Sequence, residues 1–270
     1  MRVAGSYAVV TGASSGIGRA VAERLAARGC RLLLVGRDRD RLAAVAERTG
    51  GEVAVVDLAD AGATAEFARR LAAGPPPDLL VNNAGTGVVN DIVAPGAPGT
   101  ADDGADAGAP PLGHDLDRLV AVHLRAPIAL THAVVPAMVT RGRGHLVFVT
   151  SIAGLVGVAR ESLYAAVKAG LHMFAASVRA EVAPAGVGVT TVAPGAVRTA
   201  FFDRRGAPYT RRLPRPVAPE RVADALVAAV ERDRAEVIVP RWLRLPVVIQ
   251  AATPTVFARL SARWGGSSTR

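Results

Sequence analysis

Residues 6–29 read SYAVVTGASSGIGRAVAERLAARG, and this stretch decides the fold. The apolar run at residues 6–10 predicts a short strand. After the turn at residues 11–18, apolar residues recur at the spacing of one helical face, and Gly29 ends the helix. The stretch therefore predicts a strand, a glycine-rich turn and a helix in direct succession.

A turn of this kind is suited to a phosphate group. Gly12 permits the tight turn, while the two later glycines let the backbone approach a phosphate and let the helix pack on the strand. The helix N-terminus adds unpaired N–H groups and a partial positive charge. A plain strand-to-helix turn is the alternative that needs no ligand. The candidate contacts with a dinucleotide are Gly12, Ser14, Ser15, Gly16, Ile17 and Gly18.

The rest of the chain alternates strands with helices. Further strands are predicted at residues 31–35, 52–56, 79–81, 145–149, 187–192 and 237–239. This alternation predicts the α/β class: a Rossmann-type, doubly wound parallel sheet of about seven strands in a single domain. In such a sheet, ligands bind beyond the carboxyl ends of the strands. We assign residues 1–240 to this dinucleotide-binding domain and residues 241–270 to a basic and apolar extension.

The end of the second predicted strand bears on the choice between NADP and NAD. A fold that prefers NAD usually has an acidic residue here for the ribose 2′-hydroxyl. Gly36 stands at that position, and Arg37 follows it. Because a guanidinium fork matches a 2′-phosphate, Arg37 favours NADP. Asp38 keeps NAD as the less favoured alternative, and Arg37 can instead simply begin a surface helix.

Composition excludes several classes of function. The formal net charge is +9, but the arginines are scattered through amphipathic segments, which favours a solvated surface over a nucleic-acid site. A single cysteine, Cys30, excludes an internal disulfide and a cysteine metal cluster, and we predict no metal site. The sequence has no run of about 20 apolar residues, so we expect no membrane span. The N-terminus enters a strand at once, so we expect no signal peptide and a cytoplasmic protein.

The candidate catalytic stretch is TSIAGLVGVARESLYAAVKAG at residues 150–170. Lys168 is the only lysine in a chain whose other basic residues are arginines, and it follows Tyr164 by one helical turn. An ammonium group beside a phenol favours the phenolate and lowers the pKa of the phenol. The pair thus predicts a tyrosine that exchanges protons near neutral pH, unless the tyrosine merely packs beside a chance lysine.

These motifs together resemble the short-chain dehydrogenase/reductase family over about residues 4–240. The resemblance rests on TGASSGIG at 11–18, NNAG at 82–85, YAAVK at 164–168, PGAVRT at 194–199 and a serine, Ser151, thirteen residues before Tyr164. It implies hydride transfer between NADP(H) and a carbonyl or secondary alcohol substrate. A dinucleotide-binding sensor or scaffold without turnover is the second function class that the sequence allows.

The resemblance also implies a role for individual residues. Tyr164 would act as general acid or base, Ser151 would hold the substrate oxygen, and Lys168 would bind the nicotinamide ribose and lower the pKa of the tyrosine. Besides the glycine-rich turn, the implied cofactor contacts are Arg37, Asp57, Leu58, Asn82, Ala84, Gly85, Tyr164, Lys168, Pro194, Gly195, Val197 and Thr199.

One position departs from the family pattern. The helix before the fifth strand usually carries Val-Asn-Leu, whose asparagine helps to hold a water that links the lysine to solvent, whereas residues 122–124 read Val-His-Leu. Histidine donates and accepts hydrogen bonds and titrates near neutrality. We predict that His123 takes the asparagine's place in this proton relay, the alternative being a histidine that only packs against the helix.

Three further segments carry predictions about partners. Residues 94–111 are rich in Ala, Gly, Pro and Asp and are predicted to be an irregular insertion. Residues 200–216 fall where the family has its substrate lid and mix aromatic residues with arginines, which suits an apolar substrate with an anionic end, although a solvated loop is the simpler interpretation. The extension at 241–270 could complete the pocket, form a subunit contact or touch a membrane surface. By resemblance we expect a homodimer or homotetramer.

Overall fold

The computed structural model describes residues 1–87, 112–205, 209–210 and 213–265. The expected insertion at 94–111 therefore lies entirely outside the described residues. The seven strands are β1 Tyr7–Thr11, β2 Arg31–Gly36, β3 Glu52–Val55, β4 Leu79–Asn82, β5 Gly144–Val149, β6 Val187–Pro194 and β7 Glu236–Val239. They form one parallel sheet in the order β3-β2-β1-β4-β5-β6-β7. This arrangement confirms the predicted doubly wound sheet.

Helices cover both faces of the sheet. They are α1 Gly16–Ala26, α2 Arg39–Thr49, α3 Ala61–Ala73, α4 Leu112–Val120, α5 Ala126–Thr140, α6 Ser162–Val182, α7 Phe201–Arg204, α8 Pro219–Glu231, α9 Arg244–Ala252 and α10 Pro254–Gly265. Helices α1, α2 and α8 share one buried apolar cluster with the sheet, and α3, α5 and α6 share the other.

Strand β1, an interior strand of the sheet, contributes side chains to both apolar clusters. Ala8 and Val10 belong to the cluster on the α1 side, while Val9 between them belongs to the cluster on the α5 side. All three are fully buried. Successive side chains of a strand point to opposite faces, so a strand that is covered on both faces must be apolar throughout. The continuous apolar run at the start of the chain is therefore explained by its central place in the sheet.

The segment between α4 and α5 is a π-helical turn, Ala121–Arg125, so that Asp115–Thr140 is one continuous helical stretch. By length and composition this stretch could cross a membrane, a test that a buried core helix also meets. Half of its most apolar window is buried inside the fold, where Leu130 and Met138 pack in the cluster shared with the sheet. Its apolar character is thus accounted for by the core.

The extension beyond residue 240 is helical. Pro246 lies in the first turn of α9, where a missing backbone N–H leaves no intrahelical hydrogen bond unmade. Pro254 does separate α9 from α10. Leu243 and Val247 pack against Ala193 and Ile238, so these side chains attach the extension to the last two strands.

Candidate active site

A cavity of about 590 Å³ opens at the carboxyl ends of the strands, and we call it the cleft. It collects nearly every residue that the sequence singled out. The predicted residues that line it are Gly12, Ser14, Ser15, Gly16, Ile17, Arg37, Asp57, Leu58, Ala84, Gly85, His123, Ser151, Tyr164, Lys168, Pro194, Gly195, Val197 and Thr199. The described residues contain no group of three His, Cys, Asp or Glu side chains that could hold a metal ion.

The glycine-rich turn has the backbone geometry that its glycines predict. Gly12 and Gly16 have φ values of +66° and +56°, a region that residues with a side chain rarely adopt. A Cβ on Gly12 would also come within 2.8 Å of the Cα of Ala84. Ser15 precedes α1 without capping it through its side chain, and no acidic residue occupies the first turn of the helix. The N–H groups of that turn are thus available to an anion.

Hydrogen bonds lock this turn to the end of β4 through two residues that the sequence analysis did not select. The Thr11 hydroxyl donates to the Val81 carbonyl at 3.1 Å and accepts from the N–H groups of Asn83 and Ala84 at 2.9 and 3.0 Å. The Asn83 side-chain amide donates to the Thr11 carbonyl at 2.8 Å. Both residues lie inside the quoted motifs, so their place in the motif was the available signal.

Two predicted cofactor residues lie outside the cleft lining. Gly18 packs directly against the Gly12 carbonyl and the Asn83 amide, where a Cβ would collide, so its role is the close approach of helix and strand. Asn82 is buried in β4, and neither polar atom of its side chain has a hydrogen-bond partner among the described residues. The neighbouring Asn83 lines the cleft instead.

The end of β2 presents positive charge to the cleft. Arg37 lines it and forms no ion pair with any described residue, and Arg204 from α7 lines it as well. The charges of Arg41 and Arg37 lower the pKa of Arg204, after the larger effect of burial, so the three guanidinium groups lie near one another. Asp38 is occupied elsewhere, because it caps α2 at the Arg41 N–H and pairs with the Arg41 side chain at 3.2 Å.

Ser151, Tyr164 and Lys168 come together at the other end of the cleft. The Ser151 hydroxyl accepts from the Ala153 N–H at 3.1 Å, and its hydrogen bonding toward Tyr164 acts to lower the pKa of that tyrosine. Lys168 is buried, and its Nζ donates to the Val149 carbonyl at 2.8 Å and lies 5.7 Å from the centre of the Tyr164 ring. The tyrosine and the lysine therefore both face the cleft, as their spacing on one helical face predicts.

The electrostatics of this pair differ from the expectation. Burial raises the pKa of Tyr164, and the hydrogen bond from Ser151 opposes this only in part. Burial also lowers the pKa of Lys168 to about 7. The expectation that the lysine lowers the tyrosine pKa is thus wrong for this structure, because burial is the largest cause acting on both groups and the charge of Lys168 is not among the causes acting on Tyr164.

His123 lies in the π-helical turn with its ring edge-on to Tyr164 at 5.6 Å between centres. Its Nε2 is 2.7 Å from the Thr86 carbonyl oxygen, and its buried Nδ1 has no partner among the described residues. Burial, with a smaller effect from the charge of Lys168, holds the pKa of His123 well below its usual value. The expected titration near neutrality is therefore wrong, and His123 stays neutral beside the tyrosine.

Residues of the expected lid form an aromatic wall above Tyr164. The rings of Tyr164, Phe201, Phe202 and Tyr209 follow one another with centres 5.6, 5.6 and 5.0 Å apart. Phe201 also presses on Gly87, where a Cβ would collide with its ring. All of these side chains line the cleft, so this part of the lid region is a cleft wall and not a solvated loop.

An ion pair ties the wall to the start of α6. Arg205 Nη1 donates to Glu161 Oε1 at 2.8 Å, and both side chains are largely buried. Arg205 also lies over the Phe202 ring at 4.6 Å. Because Glu161 already neutralises Arg205, this arginine does not supply the free cation that the expected anionic end of a substrate would require.

Known proteins share this sequence pattern and fold. The model of the short chain dehydrogenase family matches residues 6–209. An uncharacterized oxidoreductase of Staphylococcus saprophyticus is 30% identical over 232 residues, which cover 83% of this chain and 91% of the relative.

Two solved structures illustrate the likeness in three dimensions. A short-chain dehydrogenase from Sphingobium yanoikuyae in complex with NADPH is 29% identical, covers 93% of this chain and 96% of its own, and gives a TM-score of 0.76. The bulky-bulky ketone specific alcohol dehydrogenase from Comamonas testosteroni is also 29% identical, with coverage of 93% and 94% and a TM-score of 0.72. With its cleft, its motifs and these matches, the chain belongs to the short-chain dehydrogenase/reductase family of oxidoreductases.

Proposed function

We propose that the protein is an NADP(H)-dependent oxidoreductase that interconverts a carbonyl compound and a secondary alcohol. The observation that carries the proposal is the meeting of Ser151, Tyr164 and Lys168 at one end of a cleft whose other end suits a dinucleotide. A serine and a tyrosine that share a hydrogen bond offer two groups to one substrate oxygen.

The residues of the cleft fit a dinucleotide. The open first turn of α1 suits a pyrophosphate, and the left-handed glycines allow its close approach. Lys168 lies deep in the cleft beside Tyr164, where a ribose hydroxyl can accept from its Nζ. When bound, the cofactor supplies or accepts the hydride, and the side chains of the protein orient the substrate and move the proton.

Tyr164 is the proposed proton donor for carbonyl reduction. Because burial raises its pKa, the phenol keeps its proton at neutral pH. It can pass that proton to an oxygen that gains negative charge, while Ser151 holds the same oxygen by a hydrogen bond. Lys168, whose pKa is about 7, is positively charged in a part of the molecules at neutral pH and can stabilise the phenolate that remains.

Charge at the end of β2 supports NADP over NAD. Arg37 is free of ion pairs among the described residues, and Arg204 faces the same end of the cleft. Asp38, the residue that left NAD as an alternative, already forms an ion pair with Arg41 and caps α2. Neighbouring guanidinium groups without a carboxylate between them favour a ligand that carries a phosphate. The relative from Sphingobium yanoikuyae was solved with NADPH.

The aromatic wall supports an apolar substrate. Phe201, Phe202 and Tyr209 face the cleft, and the nearest arginine is neutralised by Glu161. A ketone or alcohol with a bulky hydrocarbon or aromatic group would bury this surface, which is favourable by about 25 cal/mol for each Å² of apolar area. The similarity to a bulky-bulky ketone specific enzyme agrees with this class of substrate.

The decisive test is Tyr164→Phe, assayed with a panel of apolar ketones by NADPH absorbance. We expect turnover to fall by about a hundred- to ten-thousandfold, the usual contribution of a positioned general acid, while NADPH binding changes little. Titration of NADPH fluorescence measures binding, and Tyr7→Phe, which alters a tyrosine outside the cleft, is the matched control.

Two outcomes would contradict the proposal. A Tyr164→Phe protein with unchanged turnover would exclude the tyrosine as the acid. A wild-type protein that binds NADPH tightly but reduces no ketone and oxidises no alcohol in the panel would favour the second function class, a dinucleotide-binding sensor or scaffold.

A further inference from the structure

The extension carries an exposed apolar surface that lies outside the lining of the cleft. We call it the tail face and define it by Trp242, Leu245, Val248, Ile249 and Val256. Trp242, Leu245 and Val248 are 52%, 64% and 53% exposed. None of the described residues that line the cleft comes from the extension, so the expectation that the extension completes the pocket is not supported.

The tail face reverses the usual pattern of a surface helix. Such a helix turns its apolar side to the core and its polar side to water. In α9 the inward contact is made by Val247, while Leu245, Val248 and Ile249 point outward at spacings of three and four residues. Packing within the chain therefore does not explain these three residues, and an exposed apolar cluster of this kind marks a contact with something else.

The charged side chains of the extension itself are all positive. After Glu236 the chain has no acidic residue, whereas it has arginines at 241, 244, 259, 263 and 270. Arg241, Arg244 and Arg259 are exposed. An apolar strip bordered by arginines alone is complementary to a surface that is both apolar and anionic.

A groove of about 690 Å³ adjoins the tail face and repeats the same chemistry. It is lined by Arg198, Arg215 and Arg221 together with the exposed Leu213 and the tail-face residue Trp242. None of the described residues that line it is acidic. Arg215 and Arg221 form no ion pair with described residues, so their charge is available to a phosphate group.

We propose that the tail face lies on an anionic phospholipid surface, with the groove receiving a lipid phosphate. Tryptophan favours the boundary between headgroups and acyl chains, and arginines beside it gain energy from anionic headgroups. A second copy of the chain fits less well. A symmetric contact through this face would pair one arginine-bordered strip with another, and no acidic side chain of the extension would neutralise that charge.

The test is co-sedimentation of the full-length protein with phosphatidylcholine vesicles that either contain or lack phosphatidylglycerol. We expect binding to the anionic vesicles and little binding to the neutral ones. The double variant Trp242→Ser/Leu245→Ser should bind at least about tenfold more weakly, because it removes large apolar side chains from the acyl boundary. Arg241→Ala/Arg244→Ala should weaken binding by roughly thirtyfold, since each of the two arginines near such a surface contributes about 1 kcal/mol.

Met173→Ser is the matched control, since Met173 is 64% exposed on α6 and lies outside the tail face. Circular dichroism and the melting temperature establish that each variant is folded. Three outcomes would overturn the proposal: no binding to anionic vesicles, equal binding to neutral vesicles, or binding that the tail-face variants leave unchanged. A concentration-dependent dimer in light scattering that Trp242→Ser/Leu245→Ser abolishes would assign the face to a second copy instead.

Discussion

The floor and the roof of the cleft are built in different ways. The floor consists of strand ends whose backbone carbonyls accept hydrogen bonds from side chains, such as Val81 from Thr11 and Val149 from Lys168. The roof consists of the aromatic wall and one ion pair, Glu161 with Arg205, with side chains contacting side chains. The floor is thus specified by the fold, while the roof is specified by residues that can change without disturbing the sheet.

This difference shows where the cleft carries an energetic cost. The floor contains polar groups that packing leaves poorly satisfied: the amide of Asn82, the Nδ1 of His123 and the ammonium of Lys168, whose pKa burial lowers to about 7. Buried polar groups without full partners destabilise a folded protein. Their persistence here fits a floor that is arranged for chemistry more than for stability.

Replacement of Lys168 should expose that cost. Because the lysine pKa falls from 10.5 in the unfolded chain to about 7 in the fold, folding expels a proton between those pH values, and stability rises with pH across that window. Lys168→Met should therefore unfold with a free energy higher than the wild type by about 2–4 kcal/mol at pH 7 and below, and the gap should close toward pH 10.5. Urea unfolding at a series of pH values, without cofactor, measures it.

A lysine added to the exposed face of the same helix provides the control. Ala169 is exposed on α6, so Ala169→Lys should titrate alike in both states and add no pH dependence. If the free energies of unfolding of the wild type and Lys168→Met change with pH in parallel, the buried ammonium does not destabilise the fold. The proposed energetic difference between floor and roof would then be wrong.

The floor and the roof meet at the end of the cleft beside β2, and each contributes one arginine there. Arg37 belongs to the end of β2, whereas Arg204 belongs to the lid. Arg37→Ala should weaken NADPH binding by about ten- to a hundredfold and leave NADH binding nearly unchanged, since a hydrogen bond to a charged group contributes about 1.5–3 kcal/mol. Arg204→Ala should act in the same direction, because Arg204 lines the same cleft and lies near Arg37.

Binding of 2′,5′-ADP compared with 5′-AMP, measured by calorimetry, isolates the phosphate from the rest of the cofactor. Arg39→Ala is the control, because Arg39 begins α2 nearby but does not line the cleft. If Arg37→Ala weakens both nucleotides equally, or neither, then the end of β2 does not support the proposed preference for NADP.

Sequence reasoning succeeded where chemistry is carried by the backbone. The glycine-rich turn can be recognised in the sequence because few residues other than glycine adopt the conformation of Gly12 and Gly16. The alternating apolar runs predict the strands of the sheet. Ser151, Tyr164 and Lys168 were found because helical spacing brings the pair to one face and the family motif supplies the serine. These features depend on local rules, so one sequence is enough to read them.

The electrostatics could not be read in the same way. The spacing of Tyr164 and Lys168 predicts their attraction, but the shift of each pKa depends on how much water the whole fold removes, and burial dominates both. The partner of Arg205 was equally hidden, because Glu161 lies 44 positions away in the chain. Both the pKa shifts and the ion pair depend on residues that are distant in the sequence and adjacent only in the folded protein.

The smallest expected effect concerns His123, which lies in the floor of the cleft beside Tyr164 and is proposed to take part in proton transfer. The structure makes its imidazole neutral, so its proposed part in the proton relay is that of a fixed hydrogen-bonding group whose Nδ1 accepts. His123→Asn should lower turnover about two- to tenfold, the range for one hydrogen bond, without removing an ionisation near pH 6.5 from the rate profile. His172→Asn, a partly exposed histidine on the same helix as Tyr164, is the matched control. Unchanged turnover would reduce His123 to a packing residue, whereas loss of an ionisation near neutrality would mean that the floor leaves this imidazole far better solvated than its burial indicates.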